Sequence, residues 1–178
     1  MLENEGGALD EALRSCMEAW ANLAERSRAG QEVGTFVGGG GAVDTDCPFP
    51  GQVETSRACA AVFETYLRAG LVAAASAAHE EDDGQEEEGK AGAAALDERL
   101  SLAARVGRAA PEESLALLCA AMEGKKNALA QALATQNVDP SETLEELWWL
   151  ARLTPHVLCD PFEGEFPLPP ESIAEWYA

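Results

Sequence analysis

The chain has 178 residues, 47% hydrophobic but only 6% aromatic, with 32 acidic against 12 basic side chains and a formal charge of −20. That balance argues against a nucleic-acid binder, which needs clustered Lys and Arg on the phosphates. It argues equally against an anionic membrane surface, and it suits a basic protein partner or a solvated acidic surface.

Much of the apolar share is alanine, which favours helix and close helix packing, and no run alternates as a strand does. The fold class read from this is all-α. Leu9, Leu13, Cys16, Met17, Trp20, Leu23, Ala24 and Ser27 recur at helical spacing and predict a first helix over about 8–28. The stretch "VGTFVGGGGAVDTDCPFPG" falls in a Gly-rich loop over 29–51. No G-K-[ST] follows the glycines and no strand precedes them, so they read as a flexible connection rather than a phosphate cradle.

Cys59, Val62, Phe63, Tyr66, Leu67, Gly70 and Leu71 predict a second helix over about 52–76. An acidic insert occupies 77–92, with seven acids between Glu80 and Glu88. Self-repulsion and the lack of apolar residues predict disorder there, and the ligand spacing of a calcium loop is absent. Leu96, Leu100, Ala103, Ala104 and Gly107 predict a short third helix with a small-residue face. Pro111 suits a first helical turn, with Glu112 and Glu113 at the positive end of the dipole. Leu115, Leu118, Cys119, Met122, Leu129, Ala132 and Leu133 carry that fourth helix to about 136, weakened at Gly124.

"NVDPSET" restarts the chain, with Asp139 as N-cap, Pro140 at N1 and Glu142 completing a capping box. Leu144, Leu147, Trp148, Ala151 and Leu158 define one face of a fifth helix, and Trp149, Leu150, Leu153 and Val157 fill in around it. A helix apolar over so much of its girth is expected to be buried on two sides. Pro155 removes a backbone donor and should kink or loosen the last turn. A sixth helix is expected from about Glu171, with Ile173, Trp176 and Tyr177. Helix pairs this thin share their cores with neighbours, which predicts an α-solenoid over 1–178, a stretch of a longer array.

Cysteines stand at 16, 47, 59, 119 and 159, odd in number and without a C-x-x-C pair, which points to reduced thiols and a cytosolic or nuclear compartment. No secretory leader is expected, and no apolar run approaches the roughly 20 residues of a membrane span. H-E-x-x-H, G-x-S-x-G and P-loop motifs are absent. His79 is expected to be solvated, and His156 to pack at a helix end. His156 and Cys159 stand three apart, but no orienting group or oxyanion hole accompanies them in sequence. Glu145 and Glu146 are adjacent and point to different faces, so they form no dyad. The tryptophan pair reads as core. The expectation is no enzyme, with no catalytic, cofactor or metal residues.

The stretch "LEELWWL", with "LT" at 153–154, "LCD" at 158–160 and "EGEFPLPP" at 163–170, resembles the exportins of the importin-β (karyopherin) superfamily. In that family a Trp-Leu helix is followed by an Asp and a Gly-Glu-x-Pro-Leu-x-Pro turn. Trp149, Leu150, Asp160, Gly164, Glu165, Pro167, Leu168 and Pro169 take those positions. Upstream, "DERLSLAARVGRAAPEESLALLCAAMEGK" is similar to a helix pair with a Gly-Arg helix end, here Gly107 and Arg108. "LRSCMEAWANL" and "ACAAVFETYLRAGLVAA" are similar to two earlier helices, in order, and the acidic insert falls where the family has one. Pro155 stands where the family has a small flexible residue, and the tetraglycine loop has no counterpart there.

The resemblance implies HEAT-like antiparallel helix pairs from the central region of a nuclear export receptor. Such a receptor binds cargo proteins cooperatively with GTP-bound Ran, passes nucleoporins in the pore and shuttles between nucleus and cytoplasm. It uses no cofactor, and no Ran or cargo contact residue carries over. The alternative is an acidic α-helical scaffold unrelated to transport. A small helical enzyme built on Cys159 and His156 is the third reading.

Overall fold

The computed structural model describes residues 11–26, 52–79, 86–135, 138–159, 169 and 173–174. Among them every regular element is α-helical, as the alanine-rich, 3.6-periodic sequence requires. The helices are α1 over 11–26, α2 Gln52–Ala77, α3 Glu86–Gly107, α4 Pro111–Ala134 and α5 Ser141–Leu158. Ile173 and Ala174 are also helical. The Gly-rich loop expected over 29–51 lies outside the described residues.

Helix α3 is longer than its apolar pattern suggests. It begins at Glu86, so residues 86–92 of the stretch expected to be disordered are helical, while 80–85 lie outside the described residues. Acids in a first turn are favoured by the helix dipole, and the alanines at 93–95 are the best helix formers. Helix α4 runs through Gly124, where nothing lies within 4 Å of an added Cβ. A solvent-facing glycine costs only about 1 kcal/mol there. Pro111 opens α4 as expected, and the Thr135 N–H closes it on the Gln131 and Ala132 carbonyls.

Two apolar clusters hold the helices together. In the larger one Phe63 and Leu67 of α2, Leu100 of α3, Leu118 of α4 and Leu150 of α5 meet, with Ile173 buried among them. In the smaller one Met17, Ala21 and Ala24 of α1 lie against Cys59 of α2 and Ala103 and Val106 of α3. Helix α2 therefore belongs to both. Among α2 to α5 its broadest contact is with α5, and α5 packs on α3 and α4 as well. By length and composition α2 is apolar enough to cross a membrane, contrary to the expectation that no run would be. One face of it, Thr55, Cys59, Phe63 and Leu67, is buried, the last three in the two clusters.

The directions of the helices follow from their ion pairs and close approaches. Arg14 reaches Glu98 and Glu25 reaches Arg105, so α1 and α3 run the same way. Ser56 donates to the Ala109 carbonyl, and a Cβ on Gly107 would stand 2.8 Å from the Phe63 ring, so α2 runs against α3. Gly70 meets Trp149 and His79 meets Glu142, so α2 also runs against α5.

The buried face of α5 is not the one expected. Leu144 and Trp148 are 48% and 52% exposed, and Ala151 is exposed too. The buried stripe is Glu146, Trp149, Leu150, Leu153 and Val157. Both stripes repeat with helical period and lie roughly 150° apart, so only the neighbouring helices can choose between them. The helix also continues through Pro155 to Leu158, and the Cys159 N–H donates to the Pro155 carbonyl at 2.9 Å. Proline removes the bond to the carbonyl four residues back, that of Ala151, which is on the exposed side where water can serve it.

Candidate functional site

The residues that carry the family resemblance lie in and after α5. Trp149 is 5% exposed and Leu150 fully buried, both in the larger cluster. The Trp149 ring stands 6.0 Å from the Tyr66 ring, tilted by 37°. Pro169 is exposed. Asp160, Gly164, Glu165, Pro167 and Leu168 lie outside the described residues.

Arg108, at the end of α3, is only 6% exposed and donates from Nη1 to the His156 carbonyl at 2.6 Å. The last carbonyls of a helix have no backbone donor within it, and they carry the negative end of its dipole. A buried guanidinium satisfies both needs. The upstream Gly-Arg of the resemblance is thereby joined to the end of the Trp-Leu helix. Lys125 of α4 makes a similar tie, at 2.5 Å, to Glu146, which is 8% exposed. Sequence reasoning considered Glu146 only to set aside a carboxylate dyad with Glu145. The signal available was its register, three residues before Trp149.

A third polar group joins α3 and α5. Asp97 accepts from Arg152 Nη2 at 2.5 Å, and His156 Nε2 stands 3.6 Å from the same oxygen. The Arg152 guanidinium lies 5.0 Å over the Trp148 ring. His156 thus faces a carboxylate, and among the described residues no hydrogen bond joins it to Cys159. No group of three possible metal ligands occurs among the described residues.

His79 is engaged where solvation alone was expected. Its Nε2 lies 2.7 Å from Glu142 Oε1, which links the end of α2 to the start of α5. The capping box does not form as expected, because the N-cap is Pro140, which has no N–H for Glu142 to accept from. Pro140 is the N-cap, and Asp139 Oδ1 accepts from the Ser141 hydroxyl at 2.6 Å and the Ser141 N–H at 3.0 Å. Those two bonds hold the Asp139 carboxyl below its ordinary value, with a small added pull from His79 against a slight desolvation.

Sequence reasoning missed a groove. Between the first half of α1, the second half of α2 and Leu96 and Arg99 of α3 lies an open apolar cleft of about 550 Å³. Ala61, Ala69 and Ala73 of α2 line it with small side chains, while Trp149 fills the space beside Gly70. Trp149 reaches its inner end. The lining is mostly apolar, with Cys16, Thr65, Tyr66 and Arg99 as its polar side chains.

Comparison with known protein families, curated proteins and solved structures finds no match to this chain.

Proposed function

We propose that this chain is a segment of a nuclear export receptor of the importin-β superfamily, similar to exportin-4. Such a receptor binds protein cargo together with GTP-bound Ran and carries it past nucleoporins between nucleus and cytoplasm. The observation that carries the reading is the ordered run "LEELWWLARLTPHVLCDPFEGEFPLPP", with its Trp-Leu helix, Asp and Gly-Glu-x-Pro-Leu-x-Pro turn.

The packing supports it in one respect. The two most similar stretches, 97–125 and 144–170, meet through the Arg108 tie to His156 and through Trp149 and Leu150 in the shared core. Helices of alternating direction, with α1 and α3 running together, are what stacked HEAT-like pairs need. The role also fits the charge of −20, which attracts basic partners and speeds encounter. A receptor of this kind needs no catalytic group and no cofactor.

The second reading is an acidic α-helical scaffold unrelated to transport. It is favoured by the broad contact between α2 and α5. In a solenoid each helix pair meets chiefly its neighbours, whereas a closed bundle brings together helices this far apart.

Pull-down of the full-length gene product with Ran separates the two. A receptor recovers GTP-loaded Ran in preference to GDP-loaded Ran. Equal recovery with both, or none with either, leaves the scaffold.

A further inference from the structure

Four helices contribute to the walls of the cleft, with Met17 of α1, Ala69 of α2, Arg99 of α3 and Trp149 of α5 all in its lining. Its volume, about 550 Å³, lies in the range of about 300–1,000 Å³ that suits a small ligand, and such sites form between the helices of bundles. Walls that are mostly apolar require a ligand whose bulk is apolar. A few polar groups then fix which end of it goes where.

Arg99 decides the head group. The Thr65 hydroxyl is spent, since it donates to the Ala61 carbonyl at 2.8 Å. Among the described residues Arg99 is the charged side chain of the lining. It shares a face of α3 with Leu96, Ala103 and Val106, at helical spacing. Ala103 and Val106 are fully buried against α1 and α2, so that face is the one turned toward the cleft. Arg99 already has a partner. A guanidinium carries five N–H donors, enough for a second acceptor, and its planar fork matches a carboxylate.

The net charge of −20 works the other way and favours a cationic head. That field is screened beyond about 8 Å at physiological salt, whereas the guanidinium acts at contact.

We propose that the cleft binds a small amphiphilic carboxylate of the fatty-acid class. The alkyl chain lies against the apolar walls, and the carboxylate pairs with the Arg99 guanidinium. The assignment rests on the lining alone, so it stands or falls independently of nuclear export.

The test is isothermal titration of the whole chain with dodecanoate, dodecanol and dodecylammonium, each below its micelle concentration. The tail is constant and only the head group changes. Dodecanoate is expected to bind at least about tenfold more tightly than either of the others, the order of one charge-assisted hydrogen bond. Net charge alone would give the ammonium the advantage. Ala69→Trp fills the cleft from an exposed position of α2. It should weaken dodecanoate binding at least about tenfold, with helical circular dichroism and melting temperature unchanged. Arg99→Gln should abolish the preference for carboxylate over alcohol, and Arg99→Lys should keep most of it. The head-group series and Ala69→Trp test the assignment even if the Arg99 variants fold poorly. Dodecanol or dodecylammonium binding as tightly as dodecanoate would overturn it. So would no binding of dodecanoate, undiminished binding to Ala69→Trp, or a carboxylate preference that survives Arg99→Gln. A chain that sediments as a dimer, and as a monomer once Ala69→Trp is introduced, would give the cleft to a second copy and overturn it too.

Discussion

The Trp149 indole occupies the space in which a Cβ on Gly70 would stand. This close approach brings α2 and α5 into broad contact, and it sets which face of α5 is buried. The neighbouring tryptophan, Trp148, has no such opening and is 52% exposed with Arg152 over its ring.

Trp149→Ala is expected to destabilise the protein by about 3–5 kcal/mol, the range for removing a buried aromatic. Trp148→Ala should cost less than about 1 kcal/mol, as for exposed positions with one weak cation–π contact. Gly70→Ala should cost about 1–3 kcal/mol from overpacking, although alanine is the better helix former. Urea melts of the three variants check the order. A larger loss at 148 than at 149 would reverse the assignment of the buried face.

The tie between Lys125 and Glu146 should show strong coupling. Lys125→Met leaves a nearly buried carboxylate alone and should cost about 2–3 kcal/mol, below the value for a fully buried pair because Lys125 keeps some water. Adding Glu146→Leu should recover most of that loss. A double variant no more stable than Lys125→Met would mean that the carboxylate is not confined.

Arg108→Met removes the donor to the His156 carbonyl. A hydrogen bond from a charged group is worth about 1.5–3 kcal/mol, so stability should fall by that order. Hydrogen exchange should also speed up in the last turn of α5, at Val157 to Cys159. Unchanged protection there would show that the carbonyl finds water as readily as the guanidinium.

Acid should weaken the start of α5. A carboxyl held lower in the folded than in the unfolded chain adds stability above its unfolded value, about 4. That stability is lost as pH falls through the folded value. Asp139 is such a group, through its bonds from Ser141. Asparagine can keep the turn but does not titrate. The stability gap between wild type and Asp139→Asn should therefore shrink from neutral pH towards pH about 3. A gap that is constant or grows on acidification would contradict the bonding at Asp139.

Much of the architecture was legible in the residues. The periods of α1, α2, α4 and α5 and the opening of α4 at Pro111 all follow from spacing and local chemistry. These are short-range effects, and a sequence displays them directly. The start of α3 was misread because acids that repel one another in a coil are stabilised in the first turn of a helix. Glu142 was assigned to a cap three residues away and went instead to His79, 63 positions distant. No local rule can rank those partners.

The composition and periodicity of this chain were sufficient to make it an acidic all-helical protein, and one run of residues was sufficient to suggest a family. Which stripe of α5 is buried, where Arg108, Lys125 and Arg152 find their partners, and that a line of alanines opens a groove were decided by tertiary packing. The reason is geometric. A helix fixes the angle between its faces, but burial, ion pairing and empty volume depend on the second helix placed against it.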